Sequence, residues 1–200
     1  MITLFDTAET CLIPKIAGLT YLPNFVTTTE TNTLITQIDD QAWRSGLKRR
    51  VQHYGYWYDY KARAVGRDSC LGPLPDWLSR LCLKLFSEGL LPTVPNQVIV
   101  NEYLPSQGIS EHVDCMSCFG DTIASLSLGS PCIMKFTHPR TRDTDEVLLN
   151  ERGLIVLSDA ARYEWRHSIP ARKSDVINGV RVPRGRRLSI TFRTMILAPD

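Results

Sequence analysis

The 200-residue sequence has no run of about 18 consecutive apolar residues, the length that a membrane-spanning helix requires. Its opening residues do not combine a basic start, a long apolar stretch and a small-residue cleavage site, the marks of an exported protein. The expectation is a soluble, cytoplasmic protein without membrane contact. No internal repeat or low-complexity tract occurs, and the 12 glycines and 12 prolines are dispersed and form no linker. Solenoids and linked arrays are thereby excluded, and a single monomeric unit over residues 1–200 is expected. The six cysteines (Cys11, Cys70, Cys82, Cys115, Cys118, Cys132) lack the dense spacing of a disulfide scaffold, so reduced thiols are expected. Cys115-x-x-Cys118 has no second CxxC or H-x-x-x-H to complete a zinc site, which leaves small buried thiols as its default reading. Histidines number only four, so a metal centre built on imidazole must draw on His53, His112, His138 and His167.

A hydrophobic content of 43% is enough for one sizeable core. The formal charge of +2 is unevenly laid out. Residues 41–68 carry seven basic groups against Asp59 and Asp68, and residues 171–187 carry six against Asp175. Clustered cations suit a polyanion such as nucleic acid, although solvated loops would carry the same charges.

Helical signals lie in the first 90 residues. One covers 29–40; the other covers 74–88, where Leu74, Leu78, Leu81 and Leu85 recur at helical spacing between Pro73, Pro75 and Gly89. From residue 97 the texture becomes short apolar or alternating runs at 98–104, 123–128, 132–136, 146–149, 154–157 and 188–194. Strands at that spacing predict a mainly β fold with flanking helices, a jelly roll that brings distant strands to one mouth.

His112-Val113-Asp114 is the strongest local signal, because in extended backbone residues i and i+2 point the same way. Two ligands do not fill a metal's protein coordination. Of the remaining imidazoles, His53 sits in a basic aromatic segment and His138 beside Pro139, which makes His167 the best third ligand. Two histidines and a carboxylate with open positions opposite suit a non-heme iron(II) oxygenase, while each histidine alone also fits a structural imidazole. In Arg187-Leu188-Ser189-Ile190-Thr191-Phe192-Arg193, residues 187, 189, 191 and 193 share one strand face. Two inward guanidiniums call for an anion, and a dicarboxylate supplies two; the alternative is an edge strand with solvated arginines. Asn101 and Tyr103 share a face that can add hydrogen bonds to the same ligand.

These residues resemble the AlkB family of alkylated-nucleic-acid dioxygenases. The likeness runs from Asn101-x-Tyr103-x-Pro105 through Gly108 and His112-x-Asp114 to Ser125-Leu126-Ser127-Leu128-Gly129. It continues at Ala161-Arg162-Tyr163 and His167 and closes on Arg187-x-Ser189-x-Thr191-x-Arg193. The resemblance implies a double-stranded β-helix core over 97–194, preceded over 1–96 by helices and a nucleotide-recognition lid. It implies Fe(II) held by His112, Asp114 and His167, with O2 as oxidant and 2-oxoglutarate held by Asn101, Tyr103, Arg187, Ser189 and Arg193. Ser189 stands where the family carries Asn.

Arg49 to Tyr60 resembles the family's lid. On a strand Tyr54, Tyr56, Tyr58 and Tyr60 would share one side, giving flat surfaces for a base, with Arg49 and Arg50 tracking phosphates. Tyrosine also simply favours strands. Arg162 joins these as a substrate contact, as does Met116, which stands where the family's repair enzymes carry an acid. The resemblance implies oxidative demethylation of alkylated bases in single-stranded DNA, RNA or tRNA, releasing succinate, carbon dioxide and formaldehyde. Segments 47–58 and 97–136 look closest to the branch that hydroxylates a modified wobble uridine in tRNA, whose enzymes carry RNA-binding and methyltransferase domains that 200 residues cannot hold. Alternatives are hydroxylation of a tRNA base or a protein, or a non-catalytic nucleic-acid-binding barrel with a structural metal.

Overall fold

The computed structural model describes residues 15–45, 48–59 and 69–196. In chain order its elements begin with β1 (Leu19–Leu22), α1 (Thr28–Asp39), β2 (Arg50–Tyr54) and α2 (Asp76–Ser87). Then come β3 (Gln97–Tyr103), β4 (Ile109–His112), β5 (Ile123–Gly129), β6 (Cys132–Thr137), β7 (Thr144–Leu149) and β8 (Leu154–Leu157). The chain continues through α3 (Asp159–Tyr163), β9 (Arg166–Ile169), β10 (Ser174–Ile177), β11 (Val180–Pro183) and β12 (Arg187–Arg193). Six strands form one sheet in the order β1-β8-β5-β12-β3-β2, and four form a second in the order β4-β9-β6-β7. All paired strands run antiparallel. This is the jelly roll that the short apolar and alternating runs predict.

Both long helices start where local chemistry directs. Thr27 accepts from the Glu30 amide at 3.1 Å while the Glu30 carboxylate accepts from the Thr27 amide at 2.7 Å, a reciprocal cap on α1. Pro75 sits at the N-cap of α2, so Leu74 lies before the helix and not within it. The apolar stripe of α2 (Leu78, Leu81, Cys82, Leu85) joins Leu34 and Ile38 of α1 against the outer face of the larger sheet. That face presents Val98, Val100, Leu126, Leu128, Leu188, Ile190 and Phe192. A second cluster, including Tyr103, Met134, Phe136, Ile155, Leu157 and Ile169, fills the space between the two sheets. Strand β12 thus divides its residues by period: Leu188, Ile190 and Phe192 pack under the helices, which turns Arg187, Ser189, Thr191 and Arg193 to the inter-sheet side.

The alternation expected for Tyr54, Tyr56, Tyr58 and Tyr60 fails at Gly55, and Tyr60 itself lies outside the described residues. Strand β2 stops at Tyr54 because Gly55 adopts φ +76° and passes so close to β3 that a Cβ would lie 1.9 Å from the Asn96 carbonyl oxygen. The ribbon β10–β11 turns at Asn178-Gly179, both at positive φ, which is the two-residue hairpin turn for which Asn-Gly is the strongest sequence signal.

Candidate metal and oxo-acid site

His112 and His167 are direct cross-strand partners in the β4–β9 ladder, and their ring centroids lie 4.4 Å apart. Asp114 follows two residues after His112, and its Oδ2 lies 3.8 Å from His167 Nε2. One ligand atom from each of the three falls within 4.8 Å of the others, a group that could hold a metal ion. A carbonyl only accepts, so the 2.7 Å contact of His112 Nδ1 with the Ser110 carbonyl places the proton on Nδ1 and leaves Nε2 its lone pair. Burial holds His167 down to about 4, so its imidazole is neutral near pH 7 and able to donate to a cation. Burial alone would raise the Asp114 carboxyl, but Arg193 above all, with His167, His112 and Arg162, keeps it well below the usual carboxylate range.

Arg193 Nη2 donates to Asp114 Oδ1 at 2.8 Å, while Arg187 Nη2 donates to Ser127 Oγ at 2.8 Å. Each guanidinium is buried, and the Nε and Nη1 atoms of both have no hydrogen-bond partner among the described residues. Buried guanidinium nitrogens without acceptors cost several kcal/mol, which an anionic ligand with two ends would offset; Arg193 lines the cavity, whereas Arg187 stands behind its wall, 5.4 Å from the centre of the Tyr103 ring. Asn101 and Tyr103 line that cavity, and burial pushes the Tyr103 phenol up, which keeps it a hydrogen-bond donor. Ser189 Oγ lies 2.8 Å from Ser125 Oγ, so a pair of hydroxyls bridges β12 and β5 at the position where the family carries Asn.

The cavity has a volume of about 510 Å³ and joins His112, Asp114 and His167 to Asn101, Tyr103, Ser189 and Arg193. Apolar side chains such as Ile123, Ile155 and Leu157 close its walls. Of the expected substrate contacts, Arg49 and Tyr58 line it. The others are placed elsewhere. Arg50 forms an ion pair with Glu102 on the helix-bearing face of the sheet, because the β2 register turns it opposite to Val51. Tyr54 packs its ring edge-on to Trp77 and donates to Gln52 on that same face. Tyr56 packs on the cluster around Phe119 and Met195. Met116 is half-exposed outside the cavity lining.

Arg162 is 2% exposed and donates to the carbonyls of Asp114, Cys115, Phe119 and Gly120 at 3.1 to 3.4 Å. It pins the loop after the metal-site aspartate and does not face a substrate. Arg162→Met is expected to lower stability by about 3 kcal/mol, because carbonyls held by a charged donor lose it. Urea unfolding checks this, and an unchanged midpoint would reject it. Cys115 and Cys118 are joined in a disulfide within the same loop, correcting the expectation of reduced thiols there.

The basic stretch 171–187 is largely consumed inside the fold. Arg184 and Arg172 bind Asp175, Arg186 binds Asp39 and Glu102, and Arg187 is buried. Two features have little or no signal in the sequence. Lys48 lines the cavity yet looked like one member of a charge run, and Ser127 receives Arg187, a role signalled only by its alternation with Ser125.

The sequence model of the 2OG-Fe(II) oxygenase superfamily matches residues 18–193. The chain is 37% identical over 202 residues to the alkylated DNA repair protein ALKBH8 homolog of Arabidopsis thaliana, covering 90% of this chain and 58% of that protein. It is 39% identical over 165 residues to the tRNA (carboxymethyluridine(34)-5-O)-methyltransferase alkbh8 of Xenopus tropicalis, covering 80% of this chain and 26% of the other. The chain therefore spans little more than half of the first relative and about a quarter of the second. The solved structure of OsALKBH1 superposes with a TM-score of 0.65 at 18% identity, over 88% of this chain and 98% of that one.

Proposed function

Because this chain belongs to the 2OG-Fe(II) oxygenase superfamily and so uses Fe(II), 2-oxoglutarate and O2, we propose that it oxidises an alkyl group on a base of single-stranded DNA, RNA or tRNA. In this reading His112, Asp114 and His167 hold the iron, and Arg187 and Arg193 take the carboxylates of the oxo acid with help from Asn101, Tyr103 and Ser189. The observation that carries it is the His-Asp-His group with Arg193, buried and with unpartnered nitrogens, against its aspartate, and a second such guanidinium, Arg187, behind the Tyr103 ring of the cavity wall. Iron and 2-oxoglutarate, when bound, supply a dioxygen-dependent oxidation in which the oxo acid is decarboxylated to succinate and an alkyl carbon is hydroxylated.

The protein's own residues set what that chemistry meets. Arg193 neutralises and orients Asp114, and Arg162 fixes the carbonyl of the same residue, so the carboxylate is held in place before a cation arrives. Ile123, Ile155 and Leu157 keep water from the inner cavity. Tyr58, whose ring lies 5.4 Å from that of Phe119, offers a flat face at the wall for an extruded base.

An N-methyl group so hydroxylated sheds formaldehyde, which completes a demethylation. A carbon-linked group stops at the alcohol. Anaerobic titration with Fe(II) and 2-oxoglutarate, followed by exposure to air with methylated single-stranded DNA, RNA and tRNA, tests the proposal. Succinate formation stimulated by at least one of these is the expected result, with formaldehyde marking demethylation. Oxo-acid turnover that no nucleic acid stimulates would overturn the substrate assignment.

A further inference from the structure

Cys115 follows Asp114 directly and lines the same cavity as His112, Asp114 and His167, yet the proposed chemistry gives it no part. Its sulfur is joined to that of Cys118, three residues on, while Cys70, Cys82 and Cys132 are free. Among the described residues, the oxidised cysteines are therefore the pair whose first member lines the site of oxidation.

A crosslink this short has little to hold. Closing a ring over a separation of three residues constrains the unfolded chain less than a long-range bridge does. The loop is already fixed by bonds that involve no sulfur. Arg162 donates to the carbonyls of Asp114, Cys115, Phe119 and Gly120. The Gly120 amide donates to the Thr194 carbonyl at 2.8 Å, and the Ile196 amide donates to the Cys118 carbonyl at 2.9 Å. Once reduced, the two thiols would stay within reach of each other, ready for the bond to form again. Both cysteines are buried and packed with Phe119, Ile123 and Met195, so the cavity is the route by which an oxidant or reductant meets Cys115. A thiol yields to oxidation more readily than an alkyl carbon. Met134 is another sulfur on the wall, but a thioether cannot pass its oxygen on to a neighbouring thiol as a disulfide.

We propose that Cys115 and Cys118 act as an internal electron donor, through which an oxo-acid turnover without substrate ends in a protein disulfide instead of oxidation of the metal-site residues. The step balances. 2-Oxoglutarate is decarboxylated to succinate, which keeps one atom of O2, and the other atom is taken by the Cys115 thiol to give a sulfenic acid. The Cys118 sulfur then attacks that of Cys115: the S–S bond forms, the S–O bond breaks, and the oxygen leaves as water with the Cys118 proton. Half of the electrons that reduce O2 come from the oxo acid and half from the thiol pair. A small dithiol entering the cavity restores the reduced pair by exchange. The inference rests on the metal and oxo-acid reading of the site and not on which substrate is oxidised.

The test uses the full chain, reduced with dithiothreitol without oxygen, desalted, and loaded with Fe(II) and 2-oxoglutarate. Air is admitted with catalase present and no nucleic acid, and succinate, free thiols and intact mass are followed. Disulfide and succinate are expected in equal amounts over the first turnover, with the disulfide forming at least about tenfold faster than when 2-oxoglutarate is omitted. Cys118→Ser should stop one step earlier, gaining a single oxygen atom at Cys115 that a sulfenic-acid reagent captures. An equal disulfide rate without the oxo acid, succinate accumulating while the thiols stay reduced, or oxygen found on Met134 instead overturns the donor and leaves the oxygenase reading standing. A pair that dithiothreitol leaves oxidised in the folded protein also overturns it, because the bond is then a fixed crosslink. If succinate forms under no condition, methylated nucleic acids included, the metal and oxo-acid reading fails and the donor with it.

Discussion

His167→Ala is expected to lower 2-oxoglutarate turnover by about three orders of magnitude, well beyond the tenfold to hundredfold that loss of a residue merely supporting a ligand costs. Its imidazole is one of three groups converging within 4.8 Å, and burial keeps it neutral. Removing it leaves His112 and Asp114, two ligands two residues apart at the end of one strand, which do not enclose a cation from opposing sides. Succinate formation and Fe(II) affinity should fall together. His167→Gln, which keeps most of the buried volume, separates a coordination loss from a packing loss: both variants should be inactive, and the glutamine form should unfold near the wild-type midpoint. Turnover retained by either variant would remove His167 from the metal site.

Arg187→Ala should raise the KM for 2-oxoglutarate about a hundredfold and leave Fe(II) affinity near that of the wild type. Truncating one partner of a buried charge pair costs on this scale, much of it from the charge left behind. Arg187 Nη2 is used on Ser127, so in the proposed role its two unpartnered nitrogens are what the alanine variant would take from the oxo acid. Arg187→Lys should fall between the two, since an ammonium restores the charge without the planar fork. An unchanged KM in the alanine variant would mean that the guanidinium serves the fold and not the co-substrate.

Much of the site was legible because its signals are periodic. The alternation in 187–193 separates inward polar from outward apolar residues with no knowledge of the partner strands, and β12 bears it out on every residue. The scarcity of histidine narrowed the third ligand candidate to His167, which the β4–β9 ladder then places directly opposite His112. What stayed hidden depended on pairing. A charge run reports sign and not partner, so nothing local distinguished Arg184, which binds Asp175 nine residues away, from Lys48 at the cavity wall. The tyrosine series has the alternation of a strand, and nothing local marks Gly55 as its end; the close approach to Asn96 is a tertiary fact. The hairpin at Asn178-Gly179 is the reverse case, a strong local signal set among charges that draw attention to a polyanion instead. Arg162 enters as a substrate contact through the family resemblance at Ala161-Arg162-Tyr163, and only its four carbonyl partners show its part in holding the loop.

The pairing of His112 with His167 across β4 and β9, next to an irregularity between Ile109 and His112, couples chelation to strand alignment. Sliding either strand by a single residue would send one imidazole to the opposite face of the sheet. A chain whose smaller sheet zipped up out of step would therefore look folded by its secondary structure yet fail to capture metal. Iron uptake is in this sense a proofreader of the finished barrel, accepting only molecules in which that ladder closed correctly.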